Sequence, residues 1–250
     1  MIDLTETVAV VTGGASGIGT ACVQRLHELG ATVDVWDRSP APDGALGDGI
    51  TYQLVDVTDP DSTATAAASV GDRFGRADIL VNCAGVITAN LPAQDTPAED
   101  FRTTFEVNTL GTANTARALF PLLRAAGGRG AIVNVASQAA LVSLPNQAAY
   151  STSKGAVAAL TRAMAIDWGS AGVRVNAVCP GFTLTPMAKQ QMTPELNTAL
   201  SRRVPLGRIF EPHEIANVIV FLASEAASAV TGVVMPVDGG WTAGEPALPL

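Results

Sequence analysis

Aromatic side chains are scarce in this chain of 250 residues: Phe, Trp and Tyr make up 5% of it, against 48% for apolar residues as a whole. Its core must be built from Ala, Val, Leu and Ile, which suits a parallel sheet covered by helices on both faces. Positive charge is also in deficit. Lys and Arg number 15 against 23 Asp and Glu, a formal net charge of -8, so the surface repels phosphate backbones and anionic headgroups, and nucleic-acid binding is disfavoured. The three cysteines, Cys22, Cys83 and Cys179, are odd in number, show no CxxC spacing and fall in apolar segments, where a thiol behaves as a small hydrophobe. They read as reduced core residues. Only two histidines occur, His27 and His213, neither with a second ligand at metal spacing, which argues against a zinc site and against a Ser-His-Asp triad. Long hydrophobic runs are missing too. The most apolar late segment, residues 215–223, falls far short of the ~20 residues needed to cross a bilayer, and no basic-then-apolar leader opens the chain. A soluble, cytoplasmic protein with no metal and no membrane partner is expected.

What is present is an alternation of short apolar runs and helical patterns, which predicts one α/β domain over residues 1–250. Residues 7–11 (TVAVV) read as a strand and a helical pattern begins at Thr20. In the loop between them Gly13, Gly17 and Gly19, with Ser16 and Ile18, let the backbone turn tightly and approach a diphosphate at the helix N-terminus, although the spacing departs from GxGxxG. Residues 31–36 form a second strand closed by Asp37, an acid placed to accept hydrogen bonds from ribose hydroxyls and to repel a 2′-phosphate, which favours NAD over NADP. Arg38 beside it could attract that phosphate or lie over the adenine. Residues 39–49 are rich in Pro and Gly where a crossover helix would normally sit. A third strand is expected at 52–57, with Asp56 reaching the adenine or acting as a cap and Val57 offering backbone contact. A helix at 62–74 and a strand at 79–81 lead to Asn82-Cys83-Ala84-Gly85, a turn small enough to admit a cofactor. Residues 97–123 read as one long helix, in whose interior Asn108 needs a partner.

Residues 134–154 (NVASQAALVSLPNQAAYSTSK) are where the chemistry is expected. Ser137 ends a buried parallel strand, so its hydroxyl emerges at the carboxyl end of the sheet, where α/β folds bind ligands. If a helix starts after Pro145, Tyr150 and Lys154 lie on one face, about 5–6 Å apart at Cβ, and the ammonium can stabilise a phenolate that would otherwise form only near pH ~10. Residues 155–168 continue as an apolar helix buried on two sides, a candidate surface for self-association. After a strand at 173–178, Pro180 and Gly181 lead to Thr183 and Thr185, whose hydroxyls or amides could hold a carboxamide or phosphate. A polar stretch at about 185–206 suits a lid. A helix at 213–223, a strand at 232–237 and a Pro-rich tail at 245–250 complete the chain.

Taken together, TGGASGIG (12–19), Asp37, Asp56-Val57, NCAG (82–85), Asn108, Ser137, Tyr150 with Lys154, and PGFTLT (180–185) resemble the short-chain dehydrogenase/reductase family along almost the whole chain. The resemblance implies a doubly wound, Rossmann-like sheet of seven parallel strands in a homotetramer, and hydride transfer between a nicotinamide and a carbonyl or secondary alcohol. It implies that Tyr150 is the general acid/base, that Ser137 orients the reacting oxygen, that Lys154 lowers the tyrosine pKa and binds ribose, and that Asn108 holds a water in the proton relay. Cys83 departs from the family's usual NNAG and removes an amide.

Substrate identity must come from side chains over the nicotinamide, for which the candidates are Gln138, Asn146, Ile87, Leu141, Val142 and the lid. Gln138 and Asn146 are polar in an apolar wall and placed as in the xylulose reductases, which favours a small polyol, sugar or sugar acid as the small-molecule substrate. The alternatives are reduction of a 3-oxoacyl thioester, whose acidic carrier would need the thin basic patch of Arg202, Arg203 and Arg208, and a non-catalytic NAD-binding regulator.

Overall fold

In the computed structural model, which describes residues 2–41, 48–189 and 193–244, the apolar runs become strands β1 (Val8–Thr12), β2 (Thr32–Asp37), β3 (Ile50–Leu54), β4 (Ile79–Asn82), β5 (Ala131–Val135), β6 (Arg174–Pro180) and β7 (Val234–Val237). They pair in the order β3-β2-β1-β4-β5-β6-β7, parallel throughout. Helices α1 (Gly17–Glu28), α2 (Pro60–Phe74), α3 (Ala98–Thr104), α4 (Gly111–Ala125), α5 (Ala148–Trp168), α6 (Pro186–Lys189), α7 (Pro194–Arg203) and α8 (Pro212–Ala223) connect them. The doubly wound α/β fold expected from the pattern is the one observed.

Successive side chains of a strand point to opposite faces, and β1 shows what that does here. Ala9 and Val11 pack with Cys22, Leu26, Ile215 and Ile219 of α1 and α8. Val8 and Val10 pack on the other face with Val70, Leu119 and Met164 of α2, α4 and α5. With both faces covered, the central strands are apolar along their length rather than alternating. Among the buried polar side chains of the strands the charged one is Asp34, in the middle of β2 and fully buried. It accepts hydrogen bonds from Trp36 Nε1 at 2.8 Å, Thr51 Oγ1 at 2.8 Å and Gln53 Nε2 at 2.9 Å, and pairs with Arg73 of α2. That network ties β3 and α2 to β2.

Three expectations shift. The third strand ends at Leu54, not Val57: Val55 and Val57 stay buried, so the apolar pattern runs on after the ladder has stopped. The long helix at 97–123 is α3 and α4 joined through a π-helical segment, Phe105–Leu110, with Asn108 inside it. Helix α1 starts at Gly17, within the glycine loop. Between β2 and β3 the described residues 38–41 and 48–49 carry no helix; the rest of that loop, the middle of the lid at 190–192 and the tail at 245–250 lie outside the described residues. The lid itself is α6 and α7, the latter capped by Thr193, whose Oγ1 accepts from Leu196 N at 3.1 Å. No helix among the described residues is long and apolar enough to cross a membrane.

Candidate active site

The sheet order reverses between β1, whose next strand in sequence lies on one side, and β4, on the other. In open α/β sheets the ligand crevice forms at that point, beyond the carboxyl ends of the strands. Here a cleft of about 570 Å³ runs from the glycine loop to Tyr150 and the lid.

At the nucleotide end the loop's glycines are required by close approach. Gly13 has φ +65, and a Cβ on it would meet Ala84 N at 2.8 Å; a Cβ on Gly19 would collide with the Gly13 carbonyl oxygen. The backbone therefore packs on itself and on the NCAG turn, leaving the start of α1 open to the cleft for an anion. Thr12 Oγ1 holds that turn by accepting from Cys83 N and Ala84 N, both at 3.1 Å. Asp37 stands at the end of β2 with its carboxylate accepting from Ala15 N at 3.1 Å and Ser39 N at 2.9 Å. It fixes the glycine loop and still faces the cleft, beside Arg38, Asp56 and Val57. Asp56 turns the chain locally by accepting from Thr58 N at 2.9 Å, while the cap of α2 is Asp59, accepting from Asp61 N at 2.9 Å. From the opposite side Thr185 packs on the loop: a Cβ on Gly17 would lie 3.1 Å from its Cγ2. Pro180, Gly181 and Thr183 line the same wall, with Thr183 Oγ1 donating to Gly181 O at 2.9 Å. A dinucleotide-sized cleft with a free helix N-terminus, an acid at the ribose position and hydroxyls opposite fits a nicotinamide cofactor.

At the reacting end, β5 delivers Ser137 and the first two turns of α5 deliver Tyr150 and Lys154. Ser137 stands beside Tyr150 on the cleft wall, and its hydroxyl accepts from Ala139 N at 3.1 Å. Lys154 is buried, donates to Val135 O at 2.8 Å, and its Nζ lies 5.9 Å from the centre of the Tyr150 ring. Burial brings its pKa down to about 8, against the pull of the Cys83 and Cys179 thiols, while burial pushes the Cys179 thiol up to about 11. Tyr150 itself is raised: burial is the largest influence, and Ser137 pulls the other way. The phenol of Tyr150 is therefore not brought down in the isolated chain as expected: loss of hydration is the largest influence on it.

Three residues expected at the site are not on the cleft wall. Asn82 is buried within the sheet, donating to its register partner Asn134 at 2.9 Å and accepting from Thr115 at 2.6 Å; a polar side chain on a central strand must be satisfied there. Asn108 accepts from Val86 N at 2.7 Å and donates to Val86 O at 3.0 Å and Ser153 Oγ at 2.9 Å. Both amide hydrogens are used, so its side chain splices the NCAG turn to α5. Asn146 is exposed with φ +63, a left-handed turn position that Asn tolerates. Its neighbours Leu144 and Gln147 face the cleft instead. Gln138 does line the cleft, as does Ile87, while Leu141 and Val142 are exposed on the loop. The Gln138 carboxamide oxygen is buried and has no hydrogen-bond partner among the described residues.

Sequence reasoning named the lid, which supplies Leu196 and Leu200 of α7, but missed Phe182 and Glu106 of the π-helical segment, all on the wall. The two leucines had a signal: they are four apart, on one face of an otherwise polar helix. Among the described residues no group of three or more His, Cys, Asp or Glu could hold a metal ion.

Comparison with known proteins matches this geometry. A family model described as enoyl-(acyl carrier protein) reductase matches residues 13–242. The chain is 38% identical over 244 residues to the cis-4-hydroxycyclohexanecarboxylate dehydrogenase of Sinomonas cyclohexanicum, covering 95% of this chain and 97% of that protein. It is 40% identical over 242 residues to the D-threitol dehydrogenase of Mycolicibacterium smegmatis, covering 94% and 92%. A solved structure of a short-chain type dehydrogenase/reductase from Mycobacterium ulcerans superposes with a TM-score of 0.91 at 32% identity, over 98% of this chain and 93% of that one.

Proposed function

The chain belongs to the short-chain dehydrogenase/reductase family, and from that premise we propose that it is an NAD-dependent dehydrogenase interconverting a small secondary alcohol, of polyol or cyclic type, with its ketone. The observation that carries the reading is the placement of Ser137, Tyr150 and the buried Lys154 together on the wall of one cleft that runs to the glycine loop. The bound nicotinamide supplies the hydride acceptor in oxidation and the donor in reduction. In oxidation Tyr150 takes the hydroxyl proton of the substrate and in reduction it returns one, while Ser137 hydrogen-bonds the reacting oxygen and fixes its position. Lys154 holds positive potential behind the phenol and is within reach of a ribose. Gly13, Ser16, Gly17, Ile18 and Gly19 cradle the diphosphate; Asp37 binds the adenosine ribose and repels a 2′-phosphate, which is the support for NAD over NADP.

The names of the two relatives, a cis-4-hydroxycyclohexanecarboxylate dehydrogenase and a D-threitol dehydrogenase, support a secondary alcohol on a small ring or polyol; they do not support the carboxylate of the first as part of this chain's substrate. Reduction of a carrier-bound thioester has less support, since Arg208 pairs with Glu214 and Arg203 lies over the Trp241 ring. That leaves little uncommitted positive charge for an acidic carrier. A homotetramer, with α5 at an interface, completes the proposal.

Appearance of the reduced nicotinamide, followed with a panel of polyols, cyclic alcohols and hydroxyacyl thioesters and with NAD and NADP in parallel, tests all of this. Tyr150→Phe should abolish turnover and leave NAD binding intact. Near wild-type rates in that variant would remove Tyr150 from the chemistry.

A further inference from the structure

The charged groups of the cleft are not spread evenly along it. Asp37 and Arg38 end β2 and Asp56 follows β3, so all three belong to the half of the sheet that faces the nucleotide. Around the reacting pair the wall is Leu144, Phe182, Met187, Leu196 and Leu200, met by the uncharged amides of Gln138 and Gln147. The remaining charges on the wall are Glu106, an acid that repels an anion, and Lys154, whose ammonium is buried and bonded to Val135 O. Lys189 follows Ala188 but is exposed at the end of α6, and residues 190–192 are Gln, Gln and Met, uncharged by sequence.

We infer, resting on the dehydrogenase reading above, that the substrate end accepts an uncharged secondary alcohol with one apolar face and discriminates against alcohols that carry a carboxylate, sulfonate or phosphate. The physical reason is the cost of moving an anion from water into a wall of aliphatic side chains without a counter-charge or a set of donors. A neutral alcohol loses far less hydration there. Its second polar group, where it has one, meets the uncharged amides of Gln138 and Gln147, which can bond a hydroxyl or amide but offer no counter-charge to an anion. The apolar face of the substrate then covers Leu196, which α7 otherwise presents to solvent, beside the partly buried Leu200.

Two matched pairs test this, 4-hydroxycyclohexanecarboxamide against 4-hydroxycyclohexanecarboxylate, and 3-hydroxybutanamide against 3-hydroxybutanoate. Members of a pair have nearly the same size and shape and differ in charge. At neutral pH the wild-type enzyme with NAD should show kcat/KM for the amide higher by roughly 100-fold. Leu196→Arg, on an exposed helix where folding is not at stake, places a guanidinium at the wall and should move the amide-to-carboxylate ratio toward the carboxylate by roughly tenfold. A carboxylate turned over as well as its amide, or a ratio unmoved by Leu196→Arg, overturns the inference and leaves the dehydrogenase reading standing. Failure of both amides and of every other neutral alcohol, with NAD and with NADP, overturns the dehydrogenase reading itself, and the inference with it.

Discussion

Tyr150 sits between opposed influences, burial and the nearby Cys179 that raise its pKa and Ser137 that lowers it. In alcohol oxidation the active form is the phenolate, so kcat/KM should climb about tenfold per pH unit through the neutral and mildly alkaline range until the phenol titrates. Ketone reduction uses the protonated phenol and should be flat over that range, falling only above the same point. Ser137→Ala removes the lowering influence, so the oxidative inflection should move to higher pH as kcat drops by roughly 10²–10³. A pH–rate profile whose inflection stays in place would mean that the serine only positions the substrate. Asp37 is a second case of one residue carrying two duties. Asp37→Ala should lower the NAD-to-NADP ratio of kcat/KM by roughly tenfold or more by removing the charge that repels a 2′-phosphate. It should also raise KM for both cofactors, because the carboxylate holds Ala15 N and Ser39 N. Unchanged selectivity in steady-state kinetics would assign cofactor choice to another group.

At the scale of elements, the strands were legible because their β-branched runs are buried on both faces, and a parallel sheet leaves little room for alternation. The misplaced end of β3 has the same origin: Val55 and Val57 are buried after the ladder ends, and a pattern of apolar residues cannot distinguish burial in a strand from burial under a loop. Asn108 was flagged by its poor propensity, but a π-helical segment has no signature in composition, and the bonds that absorb its amide come from residues 22 and 45 positions away. Asn82 misled for a related reason, since the partner that turns it inward is set by the register of β4 on β5. Position 146 and position 147 are both amides, and only the left-handed turn at Asn146 decides that Gln147 faces the cleft. The buried Asp34 yields a prediction at this scale. Asp34→Ala strands the donors of Trp36, Thr51 and Gln53 and leaves Arg73 without its partner, so urea unfolding should show a loss of about 3–5 kcal/mol. Asp34→Asn, which keeps one acceptor oxygen, should lose less, and a neutral result for Asp34→Ala would mean that water replaces the carboxylate.

For the whole molecule, α5 has two functional faces. Its inner face carries Tyr150 and Lys154 on the first two turns and packs Val157, Ala158, Met164 and Ala165 against the sheet. Its outer face is expected to be covered as well, and in the single chain it is not. Ala159, Ala163 and Ile166 are exposed, Ile166 to 82%, with Gly155 and Ala156 partly so, along one uncharged stripe. Phe101, Phe105 and Leu110 on the neighbouring helical segments are exposed too. Apolar surface of this kind is expected at an association site, and small side chains let a second helix approach closely. Light scattering on the wild-type protein should therefore give a homo-oligomer, four chains in the proposed assembly, and Ala163→Glu should give a smaller species by placing a charge in the buried stripe. Because the same helix holds the reacting pair, kcat should fall with dissociation while the glycine loop, at the other end of the cleft, keeps its affinity for the cofactor. A monomeric wild type, or an Ala163→Glu variant of unchanged mass, would show that the stripe faces solvent and that the active site needs no neighbour to hold α5 in place.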